Sequence, residues 1–209
     1  MFFVFMETTV KLKSAALKTR RIRLREIQEK DFATLFRWRN SEKFRLLFHH
    51  NDKEIDYEGF CEEFSWDTRA RRFQYLVVIK NSHEPAGIGF VHSYSQKNKE
   101  CFLNIFLAEP FERKGYGTDV FVLYVLFLFN QIGIKKLFVE ASAYNKYSLS
   151  CIRSMGMTEI KGLNNKIVLA GSEYDLFRFE CDNKFLPRLT KINDYLSGPR
   201  HQYKPGYLS

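Results

Sequence analysis

Two glycines, Gly115 and Gly117, lie in the segment LAEPFERKGYGTD, between an apolar run that ends near Leu107 and another that begins near Thr118. Glycine lets the backbone approach another molecule closely, and the start of a helix offers N–H groups that no intrahelical carbonyl accepts. The N–H groups from Arg113 onward are predicted to form a concave donor cradle, strengthened by the helix dipole and two neighbouring cations. The segment predicts either a pyrophosphate-binding loop or an ordinary strand-to-helix turn.

This glycine loop matches neither of two common nucleotide-binding motifs. The pattern G-x-G-x-x-G fails because Val120 stands at its last position, and a Walker loop fails because GK[ST] is missing. A second pattern, YNKYSLSCIRSMGM, places Asn145 and Ser148 at the start of a short helix that they could cap, and Gly156 at its end. Alone, this second pattern predicts only a helix with clear start and stop signals.

Together the two patterns resemble the GNAT-type acyl-CoA N-acetyltransferase superfamily, over roughly residues 20–181. In that family the loop reads [Q/R]-x-x-G-x-[G/A], and both glycines occupy its glycine positions. The later element is an Asn, a Ser and a Gly-aromatic pair, matched here by Asn145, Ser148 and Gly156, with Met157 replacing the aromatic residue. The segment GSEYDLFRFE is similar to the closing hairpin of the ribosomal-protein acetyltransferase branch.

The resemblance implies a binding site for acetyl-CoA. The pantetheine arm would lie against backbone exposed where two neighbouring strands splay apart, the loop would hold the pyrophosphate, and an Asn amide would contact the cofactor arm. The implied cofactor-binding residues are Phe106, Leu107, Arg113, Lys114, Gly115, Tyr116, Gly117, Thr118 and Asn145. One position departs from the family, because Glu112 stands where Gln or Arg is expected. An acid facing a pyrophosphate would weaken binding, so Glu112 is predicted to point to solvent.

The implied reaction is direct acetyl transfer to an amine, which needs a stabilised oxyanion, a proton acceptor and help for the departing thiolate. Many relatives carry a Tyr as the acid, whereas this chain has Ile152 at that position. Ser148 is the first candidate to replace the Tyr, through hydrogen bonding. Tyr147 and Cys151 are the others, with a surface aromatic and a core side chain as the simpler interpretations.

The candidate base is Glu140, on the predicted strand before Asn145. Glu100 and Asn104 share one face of an earlier strand and are alternatives, as is a chain of water molecules. Each of these side chains could equally be a solvated or structural group.

A third pattern, FRWRNSEKFR, places Trp38, Arg39 and Asn40 on the first predicted helix. This WRN sequence resembles the branch that acetylates nucleotide-linked amino sugars, where Arg39 would bind a phosphate as a forked donor and Trp38 would stack on a ring. The alternative is an amphipathic helix with Trp38 in the core. His49 and His50 follow and are further candidates for the same pocket.

The periodicity of the chain predicts the order β-α-α-β-β-β-α-β-α-β-β, an α/β (α+β) fold with helices on both faces of a mixed sheet. The family resemblance adds that the central sheet is splayed. The run VFVLYVLFLF, residues 120–129, is too short to span a bilayer and predicts a buried core helix. We expect an N-terminal extension at 1–18, a single domain at 19–182 and a basic C-terminal tail at 183–209 that holds a short helix.

Charge and cysteine usage narrow the class of protein. The net charge of +9 fits an anionic partner or simply solubility, and a nucleic-acid partner is disfavoured because the cations are interspersed with acids. The four cysteines form no CxxC pair, which predicts no metal site, no disulfide framework and a cytoplasmic location.

The leading hypothesis is therefore an acetyl-CoA-dependent N-acetyltransferase, a monomer or homodimer without membrane contact. Its acceptor would be a small-molecule amine, with a nucleotide-linked amino sugar as the first choice. A protein N-terminus is the second acceptor hypothesis, and a non-catalytic acyl-CoA-binding regulatory module is the alternative class. A nucleic-acid-binding module is the most distant of the hypotheses.

Overall fold

The computed structural model of the chain describes residues 17–48, 53–70, 72–163, 165–169 and 171–199. His49, His50, residues 1–16 of the predicted extension and residues 200–209 of the predicted tail lie outside this part of the chain. The helices are α1 (Phe32–Arg39), α2 (Glu42–Leu47), α3 (Tyr57–Ala70), α4 (Tyr116–Phe127), α5 (Lys146–Met155) and α6 (Leu186–Ser197). The strands are β1 (Ile22–Arg25), β2 (Arg72–Ile79), β3 (Pro85–Ser95), β4 (Glu100–Leu107), β5 (Lys136–Ser142), β6 (Thr158–Glu159), β7 (Lys166–Leu169) and β8 (Ser172–Asp182).

The strands form a mixed sheet in the order β1-β2-β3-β4-β5-β8-β6, with β7 paired to β8. β4 and β5 run parallel because α4 connects them, and the other pairs are antiparallel. Helices α4, α5 and α6 contribute side chains to one core, and α1, α2 and α3 to a second core on the opposite face. The predicted mixed sheet with helices on both faces is confirmed.

Two elements differ from the sequence-based expectation. The first predicted helix is two helices, because Ser41 starts α2 by accepting a hydrogen bond from the backbone N–H of Phe44 at 3.3 Å. The predicted closing pair of strands contains an additional strand, β7, in a hairpin with the first half of β8. Both differences lie outside the segment that contains Gly115 and Gly117.

The parallel pairing of β4 with β5 is short. It joins Glu100 to Lys136, Cys101 to Leu137 and Phe102 to Phe138, and then ends. β4 continues as far as Leu107 beside β3, and β5 continues as far as Ser142 beside β8. The two strands therefore diverge, and the predicted splay of the central sheet is confirmed.

Helix α4 is the core element next to that splay. The predicted core helix is confirmed, because nearly all of its residues after the first turn are buried. It begins after Gly115, whose φ of +78° is a left-handed conformation that favours glycine, and a π-helical turn at Leu128–Ile132 leads to Gly133. No described helix has the length and apolar character required to cross a membrane.

A charged network behind α4 fixes the glycine loop. Asp119, in the first turn of α4, is fully buried and accepts hydrogen bonds from Thr19 Oγ1 at 2.7 Å and from Arg21 Nε at 3.1 Å. The Arg21 guanidinium also donates to the carbonyl of Lys114 at 2.7 Å and to that of Gly115 at 3.0 Å. Through these two bonds Arg21 ties the glycine loop to the segment before β1.

Part of the predicted tail belongs to the folded core. Residues 183–185 form a 3₁₀ turn, and α6 then packs on α4 with Leu189 completely buried. The end of α6 also contacts the segment before β1, since the backbone N–H of Arg20 donates to the carbonyl of Leu196 at 3.0 Å. Residues 183–199 thus continue the packed structure.

The substitution Asp119→Asn tests the charged network. The Asp119 side chain is fully buried, whereas that of Arg21 is 33% exposed. Removing the carboxylate charge leaves the Arg21 guanidinium with a neutral and therefore weaker partner. We expect the free energy of unfolding in urea to fall by about 2 kcal/mol. Asp194→Asn, at an exposed position of α6, is the control and should change it by less than about 0.5 kcal/mol. Equal effects of the two substitutions would contradict the proposed role of Asp119.

Candidate functional site

A cleft of about 1200 Å³ opens where β4 and β5 diverge. Its walls come from the ends of these two strands, the glycine loop with the first turn of α4, the start of α5, and α2. The two sequence patterns therefore meet in one cavity, although they lie in separate segments of the chain. This juxtaposition is what the paired patterns predict.

The glycine-loop wall carries backbone donors. Arg113, Gly115, Gly117 and Thr118 line the cleft. The N-cap position of α4 supplies no side-chain acceptor, so the N–H groups of its first turn have no side-chain cap. Lys114, also predicted to bind the cofactor, is not among the residues that line the cleft, and its backbone carbonyl accepts from Arg21.

Tyr116, also predicted to bind the cofactor, is not among the residues that line the cleft. Its ring lies 5.0 Å from the Arg21 guanidinium. Tyr116 and Arg21 therefore pack together behind the glycine loop.

The α5 wall contains the second pattern. Asn145 caps α5, because its Oδ1 accepts the backbone N–H of Ser148 at 3.0 Å. Ser148 and Tyr147 both line the cleft, with Tyr147 57% exposed. Ile152 is nearly buried in the same wall and has no proton to donate. Cys151 Sγ lies 3.8 Å from the hydroxyl of Thr118, so α5 and the first turn of α4 are in contact here.

Leu107 and Phe106, the two predicted residues at the end of β4, are placed differently. Leu107 lines the cleft, and its carbonyl accepts a hydrogen bond from Lys43 Nζ at 2.7 Å. The side chain of Phe106 is buried in the second core, with its ring 5.0 Å from that of Phe44. Phe106 is therefore not among the residues that line the cleft, in contrast to the sequence-based expectation.

The prediction that Glu112 points to solvent is wrong. Its carboxylate forms an ion pair with Lys43 of α2, and both side chains line the cleft. The side-chain exposures are 35% for Glu112 and 32% for Lys43. The physical reason is that α2 lies across the end of β4 and brings an ammonium group next to the start of the loop.

The candidate base Glu140 lines the cleft but is already paired. Its Oε1 accepts from Arg178 Nε at 2.8 Å across the β5–β8 ladder. A second guanidinium nitrogen of Arg178 lies 2.7 Å from the same oxygen, so Oε1 is occupied by the ion pair. Asn104 of β4 and His92 of β3 also line the cleft, and His92 was not predicted because a single histidine in a strand belongs to no motif.

Trp38, Arg39 and Asn40 do not line this cleft. Arg39 is 7% exposed, and its Nε donates to Glu63 at 2.8 Å. Asn40 Nδ2 donates to the carbonyl of Ile55 at 2.8 Å.

The ring of Trp38 packs 5.6 Å from that of Phe106. The amphipathic-helix interpretation therefore describes Trp38, Arg39 and Asn40, and the WRN pattern no longer supports a nucleotide pocket.

One of the four cysteines lies in the cleft. All four cysteines lie in the described part of the chain as free thiols. Burial raises the pKa of Cys101 to about 12 and that of Cys181 to about 12, so both stay protonated. Cys151 is the cysteine that lines the cleft. In the described residues no group of three or more His, Cys, Asp or Glu side chains is arranged to hold a metal ion.

Several solved structures have a similar fold. The chain is similar to a spermidine N-acetyltransferase from Vibrio cholerae in complex with CoA and spermine, with a TM-score of 0.72 and 13% identity over 79% of this chain and 98% of that one. A GCN5-related N-acetyltransferase from Brucella melitensis gives a TM-score of 0.73 and 15% identity over 92% and 91%. The apo form of FdhC, a nucleotide-linked sugar GNAT, gives 0.69 and 14% over 88% and 98%.

Comparison at the level of sequence is more specific. Among curated proteins no match was found. The family model for the acetyltransferase (GNAT) domain matches residues 21–158, which contain both patterns of the cleft. The chain therefore belongs to the GNAT acetyltransferase domain family.

Proposed function

We propose that the chain transfers the acetyl group of acetyl-CoA directly to the primary amine of a small molecule. The observation that carries this proposal is the uncapped N-terminus of α4, which faces the cleft at the point where β4 and β5 diverge. Backbone donors for an anion and strand-end backbone for an amide-containing arm then share one cavity. That combination suits the pyrophosphate and pantetheine parts of CoA.

The residues that would hold acetyl-CoA fit its chemistry. Arg113, Gly115, Gly117 and Thr118 offer a cation, N–H groups and a hydroxyl to the pyrophosphate, and Leu107 offers backbone to the arm. The complex of the similar Vibrio cholerae spermidine N-acetyltransferase with CoA supports this choice of cosubstrate.

Acetyl transfer requires few side-chain groups. The amine nitrogen attacks the thioester carbon, a C–N bond forms, the C–S bond breaks, and the ammonium proton passes to a base or to water. Ser148 is the side chain we propose to assist the departing sulfur, because Ile152 cannot. Because Glu140 pairs with Arg178, we assign the proton to water within the cleft rather than to that carboxylate.

The acceptor would occupy the part of the cleft between α2 and the ends of β3, β5 and β8. Leu46, Leu47, Phe48, Phe90 and Leu176 make this part apolar, with a few polar groups among them. Such lining fits a compact small molecule better than a charged polymer. We keep a nucleotide-linked amino sugar as the first acceptor, supported by the fold similarity to FdhC.

An acceptor panel tests the proposal. Purified protein with acetyl-CoA is given a nucleotide-linked amino sugar, a free amino sugar, a polyamine and a peptide with a free N-terminus, and CoA release and product mass are measured. We expect one added acetyl group on a small-molecule amine, first of all the amino sugar. Acetylation of the peptide alone would replace this acceptor with a protein N-terminus. Tight CoA binding without CoA release on any amine would indicate the regulatory module.

The substitution Gly117→Glu tests the pyrophosphate assignment. A Cβ at this position would meet Leu107 Cδ1 at 3.7 Å, an ordinary contact, so the fold should tolerate a side chain. A carboxylate among the loop donors should repel the pyrophosphate, and we expect CoA affinity to fall on the order of a hundredfold or more. Calorimetry measures it, with Gly117→Gln matching the bulk without the charge and Gly117→Ala as the mild control. Unchanged affinity of the Glu variant would refute the assignment.

The substitution Ser148→Ala tests the proposed help to the leaving group. The backbone N–H of Ser148 makes the helix-capping bond, so removing Oγ leaves that cap intact. We expect kcat to fall roughly tenfold with the KM for acetyl-CoA nearly unchanged, as for the loss of one hydrogen bond. Tyr147→Phe is the matched hydroxyl deletion on the same helix turn and should change kcat less. The opposite ranking would transfer the role to Tyr147.

A further inference from the structure

Glu112 places a negative charge at the start of a loop that is proposed to bind a pyrophosphate. It lines the same cleft as Gly115 and Gly117, and its side chain is only partly exposed. In the resembled family this position is Gln or Arg. A carboxylate left alone there would oppose the anion, so the chain needs a compensating charge.

Lys43 is placed to supply that charge. Its ammonium group is fixed by three contacts: the Glu112 carboxylate, the Leu107 carbonyl at 2.7 Å and the ring of Phe106, whose centroid is 5.2 Å away. Two of these contacts come from the end of β4, which sets the ammonium position independently of Glu112. The pair is therefore anchored to the cleft edge, unlike a pair of mobile surface side chains.

We propose that Lys43 neutralises Glu112 from α2 and so removes the negative charge that would oppose an anion at position 112. The inference rests on the proposed function, because the anion it serves is the CoA pyrophosphate. It assigns Lys43 as a positioning and charge-balancing residue of the cosubstrate site. Lys43 lies 69 residues away from Glu112 in the chain, so no local pattern connects the two.

A double-mutant cycle read by calorimetry with CoA tests this assignment. Lys43→Met leaves the Glu112 charge uncompensated, and we expect the Kd for CoA to rise on the order of tenfold. Glu112→Gln introduces one of the two residue types of the family and should lower the Kd. The double variant should return to within about threefold of the unaltered chain, because the charge that Lys43 balances is gone.

Lys166→Met is the matched control, since Lys166 pairs with the Glu173 carboxylate at 2.9 Å in the β7–β8 hairpin, outside the cleft lining. It should leave the Kd unchanged. Should Lys43→Met fail to fold, as judged by circular dichroism, Glu112→Gln alone still decides, because a raised Kd for that variant contradicts the proposal.

Three results would overturn the inference. These are an unchanged or lower Kd for Lys43→Met, a double variant as weak as Lys43→Met, and a raised Kd for Glu112→Gln. Absence of CoA binding by the unaltered chain would overturn both the inference and the proposed function. CoA binding by the unaltered chain with any of the three results overturns the inference alone.

Discussion

The parallel pairing of β4 with β5 ends at Phe102 and Phe138, and the later residues of the two strands diverge. Backbone groups that leave a ladder must find other partners or face an opening, since an unpaired buried N–H or C=O costs free energy. The cleft is that opening, and at its edge the Leu107 carbonyl accepts from Lys43. Because α4 and α5 both begin beside the divergence, helix donors and strand backbone share one cavity.

The opening alone would not make a binding site, because a glycine-containing loop can adopt many conformations. Arg21 and Asp119 restrict it from behind, with Asp119 fully buried and Arg21 bound to two loop carbonyls. Because Arg21 binds the carbonyls of Lys114 and Gly115 behind the loop, the N–H groups of the first turn of α4 remain available to a ligand in the cleft. The same network joins the start of the sheet to the start of α4, so one buried carboxylate contacts both the segment before β1 and the first turn of α4.

The charged residues that resemble ligands in the sequence mostly have partners within the protein. Arg39 pairs with Glu63, and Glu140 pairs with Arg178. The part of the cleft between α2 and the ends of β3, β5 and β8 combines apolar side chains with polar ones such as His92 and Asn104. Charge matters instead at the loop, where Lys43 is held beside the strand end.

The sequence by itself determined the mixed sheet and the core helix α4, because periodicity, glycine positions and capping residues act over a few neighbouring positions. The meeting of Gly115, Gly117 and Asn145 was implied by the family resemblance, since these residues lie in separate segments of the chain. It also showed the departure at position 112. Only the tertiary structure decided which charged groups pair, since such contacts join residues as far apart as the 98 positions between Arg21 and Asp119. Helix packing on the sheet creates these contacts, and no local pattern encodes them. For that reason the sequence left the WRN segment open between a ligand pocket and the core, and the fold decided for contacts with Glu63, Ile55 and Phe106.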